Sequence, residues 1–330
     1  MTGTAFDVVG IGNAMVDVIA HADEQFLVAQ QLTKGVMTLI DGPRAEAFYA
    51  TMPPAVEISG GSGGNTMAGL ASLGGRGAFI GKVNTDELGR VFAHDMRAAG
   101  VAFDVPPAVD GLPTGRCLII VTPDAQRTMQ TFLGAGAELQ PEDVDAELVA
   151  SAQVTYMEGY LWDPPGAKQA FLKAARAAHA AGRKVSISLS DPFCVERHRD
   201  EFLELVEHHV DILFANEHEV MSLYRTQNFD EALQHVRRKC DIAALTRSEK
   251  GAVVVAGNEI HVVDAEPVDE VIDTTGAGDL YAAGFLYGLT NGMPLATCGR
   301  IGAIAASEVI SHYGARPEVA LADLVKQKLG

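Results

Sequence analysis

No stretch of this 330-residue chain carries the roughly 18 consecutive apolar residues that a membrane-crossing helix needs, and no leader-like run opens it. The expectation is a protein that neither spans a bilayer nor leaves by the usual export route. Positive charge is scarce: 25 Lys and Arg stand against 43 Asp and Glu, a formal charge of −18. A nucleic-acid backbone or an anionic membrane surface would repel such a chain, so neither is expected as a partner. ATP stays open to it, because helix N-termini and a metal ion supply positive potential locally. Cysteines are few and scattered (Cys117, Cys194, Cys240, Cys298), with no C-x-x-C pair, which points to reduced thiols in a cytoplasmic protein. The histidines include no H-E-x-x-H, and His208-His209 read as a helix-to-strand connection rather than a metal site. Gly60 to Gly64 is followed by no G-K-[ST], which excludes a Walker loop. Gly10-Ile-Gly12 lacks the third glycine of a dinucleotide fingerprint, because position 15 is methionine.

What the chain does have is apolar content, 48% of it, enough to bury the core of one α/β domain or two. Val8 to Gly12, Val16 to Ala20 and Val36 to Ile40 read as strands, and Asn65 to Leu73 and Leu88 to Ala99 as amphipathic helices. Cys117 to Val121 and Thr128 to Phe132 read as a strand pair around the Pro123-Asp124 turn. Beyond Ala150 the rhythm becomes regular: strands at 153–157, 184–189, 210–214 and 242–246 alternate with helices at 166–181, 196–207 and 216–239. Such alternation implies right-handed crossovers and a mainly parallel sheet covered on both faces. Segments 14–40 and 102–133 break the rhythm and read as a small, discontinuous β-rich flap on a single domain spanning 1–330.

The most informative segment is Asp273-Thr-Thr-Gly-Ala-Gly-Asp279, followed by the apolar, helically spaced run to Leu289. The glycines lie where a loop enters a buried helix, whose first-turn N–H groups lack partners and carry partial positive charge. Gly276 and Gly278 let that backbone approach a phosphate, and Asp279 falls beside any anion bound there. The bland alternative is a dipole-complementing Asp279 after an ordinary turn. Bland readings are available elsewhere too: Asn65 as an N-cap, Asp17 as a solvated carboxylate, Asn216 with Glu219 as a capping box, and Arg127 as a surface-strand arginine.

The segment Asp273 to Leu289 resembles the C-terminal signature of the ribokinase-like (PfkB) carbohydrate and nucleoside kinase family. Ser59-Gly-Gly-Ser-Gly-Gly-Asn65, with the residues up to Gly74 and with Gly81 to Val101, is similar to that family's N-terminal signature. The resemblance covers essentially the whole chain. It implies a three-layer α/β fold with a β-rich lid, and phosphoryl transfer from MgATP to a small nucleoside or sugar. It casts Asp279 as the base that takes the acceptor's proton, with Gly276, Ala277 and Gly278 as the anion hole. Asn13, Asp17, Gly61, Asn65, Cys117 and Arg127 would meet the acceptor or the transferred phosphate. Asn216, Thr246, Gly251 and Gly278 would meet the nucleotide, and Glu219 would reach Mg²⁺ through water. Ser248 stands where the family's nucleotide loop commonly has glycine. Asp273 and Thr275 match ligand positions for a possible K⁺. Gly-x-Gly-Asn-x-x-x-Asp17, Ser62 in the Gly-Gly loop and Thr114-Gly-x-Cys117 look more like members that phosphorylate adenosine than like free-sugar kinases. Met15, Leu39, Cys117, Met129 and Leu161 are candidates to line a purine slot. A silent nucleotide-binding relative and a nicotinamide oxidoreductase are the alternatives from other classes. The protein is expected as a monomer or a homodimer, since a flap edge is either solvated or paired with a second subunit.

Overall fold

The structure, a computed structural model, describes residues 3–124 and 126–330. In chain order its strands are β1 (Phe6–Ile11), β2 (Met15–His21), β3 (Met37–Leu39), β4 (Ala55–Gly60), β5 (Gly77–Ile80), β6 (Gly115–Val121) and β7 (Arg127–Phe132). They continue as β8 (Ala152–Glu158), β9 (Lys184–Ser188), β10 (Ile212–Asn216), β11 (Ile242–Thr246), β12 (Ala252–Ala256) and β13 (Glu259–Val263).

The main sheet runs β13-β12-β11-β10-β9-β8-β1-β5. From β5 to β11 every neighbour is parallel, and β12 and β13 close one edge as an antiparallel pair. Its central strands read as apolar runs (Val-Val-Gly-Ile, Ile-Leu-Phe-Ala, Ile-Ala-Ala-Leu) because helices cover both faces and leave no wet side. One face packs on helices Pro165–Ala180, Pro192–His208, Glu217–Tyr224 and Phe229–Val236 through Phe171, Phe202, Leu223 and Val236. The other packs on helices Ser62–Ser72 and Ala277–Thr290 through Met67, Leu70, Phe79 and Phe285.

A second sheet runs β3-β7-β6-β2-β4. Along β2 the pleat sends Val16, Val18 and Ala20 into the core shared with helices Gly42–Tyr49 and Glu87–Ala98. Met15, Asp17 and Ile19 therefore lie on the opposite face. There Met15 and Ile19 pack with Cys117, Ile119, Val121 and Met129 of the neighbouring strands. This sheet takes in β4, which lies outside both segments read as the flap, whereas Ala102 bridges to Ala78 at the edge of the main sheet.

Local differences from the sequence reading have local causes. The single helix expected over 216–239 is two, because Arg225 adopts a left-handed conformation (φ 51°) and Asn228 caps a new start at Phe229. The helix expected from Asn65 starts at Ser62 instead, with Gly61 as its N-cap.

Candidate active site

Asn13 follows β1, Glu158 ends β8, Asn216 ends β10 and Thr246 ends β11, so four parallel strands deliver polar side chains to one end of the sheet. That end, beyond the carboxyl termini of the strands, is where open α/β sheets bind ligands. Two glycine turns and the second sheet complete the surroundings.

The first turn is Gly276, which adopts φ 80° as the N-cap of helix Ala277–Thr290. A side chain there would meet Ala315, whose Cβ and Cα would lie 2.8 and 2.9 Å from the added carbon. Gly278 differs, with no atom within 4 Å of where its Cβ would stand. Packing therefore demands a glycine at 276 and leaves open space at 278. Ala277 departs from the expected anion hole. The N–H of Ala277 turns back on Thr274 O at 3.2 Å, because a tight turn precedes the helix, so that amide is already partnered.

Asp279 stands in the first helical turn and is held from across the sequence. Ser62 Oγ donates to its Oδ1 at 2.6 Å and Asn65 Nδ2 to its Oδ2 at 3.0 Å. Asn65 is therefore one turn inside its helix, and its side chain bridges two loops rather than capping. Burial pushes the Asp279 carboxyl above the usual aspartate range, against the pull of Ser62, Asn65 and the Arg316 guanidinium. A carboxylate moved toward neutrality accepts a proton more readily, which is the direction a general base needs.

The second turn is Gly61 (φ 83°), where a Cβ would stand 2.3 Å from Asn13 O. Beside it lies Asp17, pushed up to about 6 chiefly by burial, with Arg127 and Arg316 lowering it and Asp279 raising it. Asp17 is half-buried on the face of β2 opposite Val16 and Val18, so it is not a freely solvated carboxylate. Asn13 is buried, and its Nδ2 donates to Glu158 Oε1 at 2.7 Å while its N–H reaches Oε2 at 3.2 Å. Gly63 N donates to the same Oε2 at 2.8 Å. Among the described residues the buried Oδ1 atoms of Asn13 and Asn65 have no protein partner, and hydroxyl donors of a ligand would satisfy them.

Arg127 is no surface arginine. Its Nη1 lies 2.7 Å from Asp273 Oδ2, with both side chains 8% exposed. Asp273 also accepts Thr275 N (3.0 Å), Thr275 Oγ1 (2.7 Å) and Gly314 N (3.0 Å). The side chains expected at a cation site are thus engaged with protein donors, and Arg127 ties β7 to the entry of the Gly276 turn. Cys117 is buried beside Asp17 in the strand register and lies 3.3 Å from Thr131 Oγ1, its thiol pushed up to about 12 by burial. Leu161 packs in the main core with Trp162 and Phe171, and Leu39 is exposed, so neither joins Met15, Cys117 and Met129.

On the remaining side, Asn216 and Glu219 make the capping box. Asn216 Oδ1 accepts Glu219 N at 2.9 Å, and Glu219 Oε2 accepts Asn216 N at 2.9 Å. Burial pushes Glu219 up to about 7. Ser248 has φ 52°, the left-handed conformation for which glycine is the usual residue, and Gly251 closes the same loop at φ 79°. Arg247, between Thr246 and Ser248, stacks over Phe229 at 4.1 Å and pairs with Glu217 at 3.4 Å. Among the described residues no cluster of three or more His, Cys, Asp or Glu is arranged to hold a metal ion.

Two residues escaped the sequence reading. Glu158 offered a signal, a carboxylate at the end of an apolar strand in an open sheet. Arg316 offered none, since only the return of the chain after helix Leu295–Val309 brings it to Ser59 and Gly64. Glu158 carries a testable consequence. Burial pushes it up to about 7, well above the value near 4.3 of an unfolded chain. Its contribution to stability is therefore greatest at low pH and is lost as pH rises through about 7. Glu158→Gln removes that titration, so the variant's thermal midpoint should vary less between about pH 5 and 8 than the parent's. Two parallel melting curves would show that Glu158 does not titrate there.

The chain belongs to the pfkB family of carbohydrate kinases, whose family model matches residues 51–320. It is a kinase with the fold of that family: a mostly parallel central sheet and a second, smaller one. A probable sugar kinase from Rhizobium etli CFN 42 is 53% identical, with a TM-score of 0.92 over 98% of this chain and 99% of that one. An adenosine kinase from Sinorhizobium meliloti is 54% identical, with a TM-score of 0.90 and the same coverage. The adenosine kinase of Saccharomyces cerevisiae is 26% identical over 92% of this chain and 94% of its own length.

Proposed function

We propose that the protein transfers the γ-phosphoryl group of MgATP to the 5′-hydroxymethyl group of adenosine, giving AMP and ADP. The carrying observation is Asp279, fixed by Ser62 and Asn65 at a glycine-lined helix start with Asp17 and two unpartnered asparagine oxygens nearby. Asp279 takes the proton as the hydroxyl oxygen attacks phosphorus, the bond to the ADP oxygen breaks, and ADP departs. Little else is needed chemically, because phosphoryl transfer is mostly positioning and charge stabilisation. The amides of Gly276 and Gly278 face the developing charge. Asn13 and Asp17 accept the ribose hydroxyls, for which a carboxylate with two acceptor oxygens is suited. Gly61 brings the backbone close to the acceptor, and Arg127 lies at the phosphate side.

Asn216, Thr246 and Gly251 border the nucleotide. Bound with ATP, Mg²⁺ would keep most of its waters and need few direct protein ligands. Glu219 would act only through such waters. K⁺ at Asp273 would have to share an already occupied carboxylate.

Adenosine is favoured over a free sugar because Met15, Cys117 and Met129 form an apolar patch on the face that carries Asp17. A purine needs such a surface and a monosaccharide does not. Phosphorylation of ribose, fructose or a related sugar is the second reading, supported by the sugar-kinase description of the Rhizobium relative. At saturating MgATP, kcat/KM for adenosine should exceed that for either sugar in a coupled ADP-release assay. A preference for a sugar overturns the acceptor and keeps the kinase. ATP consumption that depends on the acceptor excludes a silent sensor, and a flat trace at the NADH band excludes an oxidoreductase.

A further inference from the structure

We propose that Arg316 is a positioning residue that locks the Ser59–Gly64 loop against the helix start at Asp279 and sets an unpaired positive charge facing Asp17 and Asp279. The proposal rests on the kinase reading above. Every nitrogen of the guanidinium has an acceptor, and each of these acceptors is uncharged. Nε donates to Ser59 O at 3.2 Å, and Nη2 to Ser59 O at 2.9 Å and Ser59 Oγ at 3.0 Å. Nη1 donates to Gly64 O at 2.8 Å, and Met96 Sδ lies 3.6 Å from Nη2. A planar fork satisfies these acceptors at once, which a lysine ammonium does not.

Among the described residues Arg316 makes no ion pair, so its positive charge is not consumed at contact distance and acts as a field on its surroundings. The charged groups that face it are Asp17, Asp279 and Asp95. Arg127 also faces Asp17, and Glu158 also faces Asp279. Burial lowers the guanidinium only to about 10, so it stays charged at neutral pH. Asp279 disfavours the ionisation of Asp17, as a like charge sharing a site does, and Arg316 favours the ionised form of both.

Its chain neighbours give the same segment a second grip. Gly314 N donates to Asp273, and Ala315 fills the space beside Gly276. Three consecutive residues therefore join the acceptor loop to the anion loop.

The test compares Arg316→Gln and Arg316→Lys with the parent, in kcat and acceptor KM from about pH 5 to 9, with thermal midpoints as a check on folding. The glutamine variant should move the acid limb of kcat up by about one pH unit, because losing a nearby opposite charge raises a carboxyl by that much or more. Its kcat should recover at high pH. The lysine variant should keep the limb near the parent's, since it keeps the charge, yet raise the acceptor KM, since it loses the fork. A glutamine variant that loses rate equally at every pH, with the limb unmoved, would overturn the proposal. If the parent turns over no acceptor at all, the kinase reading fails separately. The carboxyl ¹³C titrations of Asp17 and Asp279, read in parent and glutamine variant, then decide: a rise in either supports the role of Arg316 and unmoved titrations overturn it.

Discussion

Replacing Asp279 with asparagine should lower kcat by ~10²–10⁴-fold and leave the affinity for ATP close to the parent's. Asparagine matches the carboxylate in shape and keeps an acceptor for Ser62 Oγ, which now donates at 2.6 Å. It offers a donor rather than an acceptor to Asn65 Nδ2, which now donates to Oδ2 at 3.0 Å. The structural cost is that of one compromised hydrogen bond, on the order of 1 kcal/mol. The chemical cost is the whole of the proton acceptor. Steady-state turnover with equilibrium nucleotide binding separates the two, and near-parental kcat would sink the mechanism.

The second large effect is a contrast within one loop. Gly276→Ala places a carbon 2.8 Å from Ala315 Cβ and 2.9 Å from its Cα, at a φ of 80° that side chains resist. Backbone cannot move aside as a flexible side chain does, so the turn must shift and carry its amides with it. Displacing a donor from an anion hole typically lowers kcat by about 10²–10³-fold, and a lower thermal midpoint should accompany the loss. Gly278→Ala meets nothing within 4 Å, and alanine is the better helix former. Its thermal midpoint should therefore hold or rise. Any fall in its kcat reports that the phosphoryl group occupies the space beside position 278. If both variants retain parental kcat, the loop is not the anion site.

The legible parts of this molecule were local ones. The apolar strands β10 and β11 and the helices Pro165–Ala180 and Pro192–His208 follow from composition and period alone, because strands buried on both faces leave no alternation to misread. Two edge strands do not stand out, since β13 alternates exposed Ile260 and Val262 with inward residues and β4 begins with exposed Ala55 and Val56, whereas the edge strand β3 falls inside the strand read over Val36 to Ile40. Short strands half in water carry too little apolar signal to stand out from loops. The helix over 216–239 failed for a related reason, since a single left-handed arginine breaks it without glycine or proline to announce the break.

By itself, then, the sequence determined the parallel core, the two glycine turns and the residue types gathered at the proposed site, because these depend on contacts within a few residues or on one element's period. The tertiary structure alone decided how those pieces meet. It turned Asn65 from a cap into a clamp on Asp279, withdrew Arg127 from the surface to pair with Asp273, and sent Leu161 into the core away from the second sheet. It also brought in Glu158 and Arg316, whose partners lie 95 residues or more away along the chain. A buried charge is tolerated only where the whole fold supplies its hydrogen bonds, and nothing in the local pattern of a sequence records where those partners will stand.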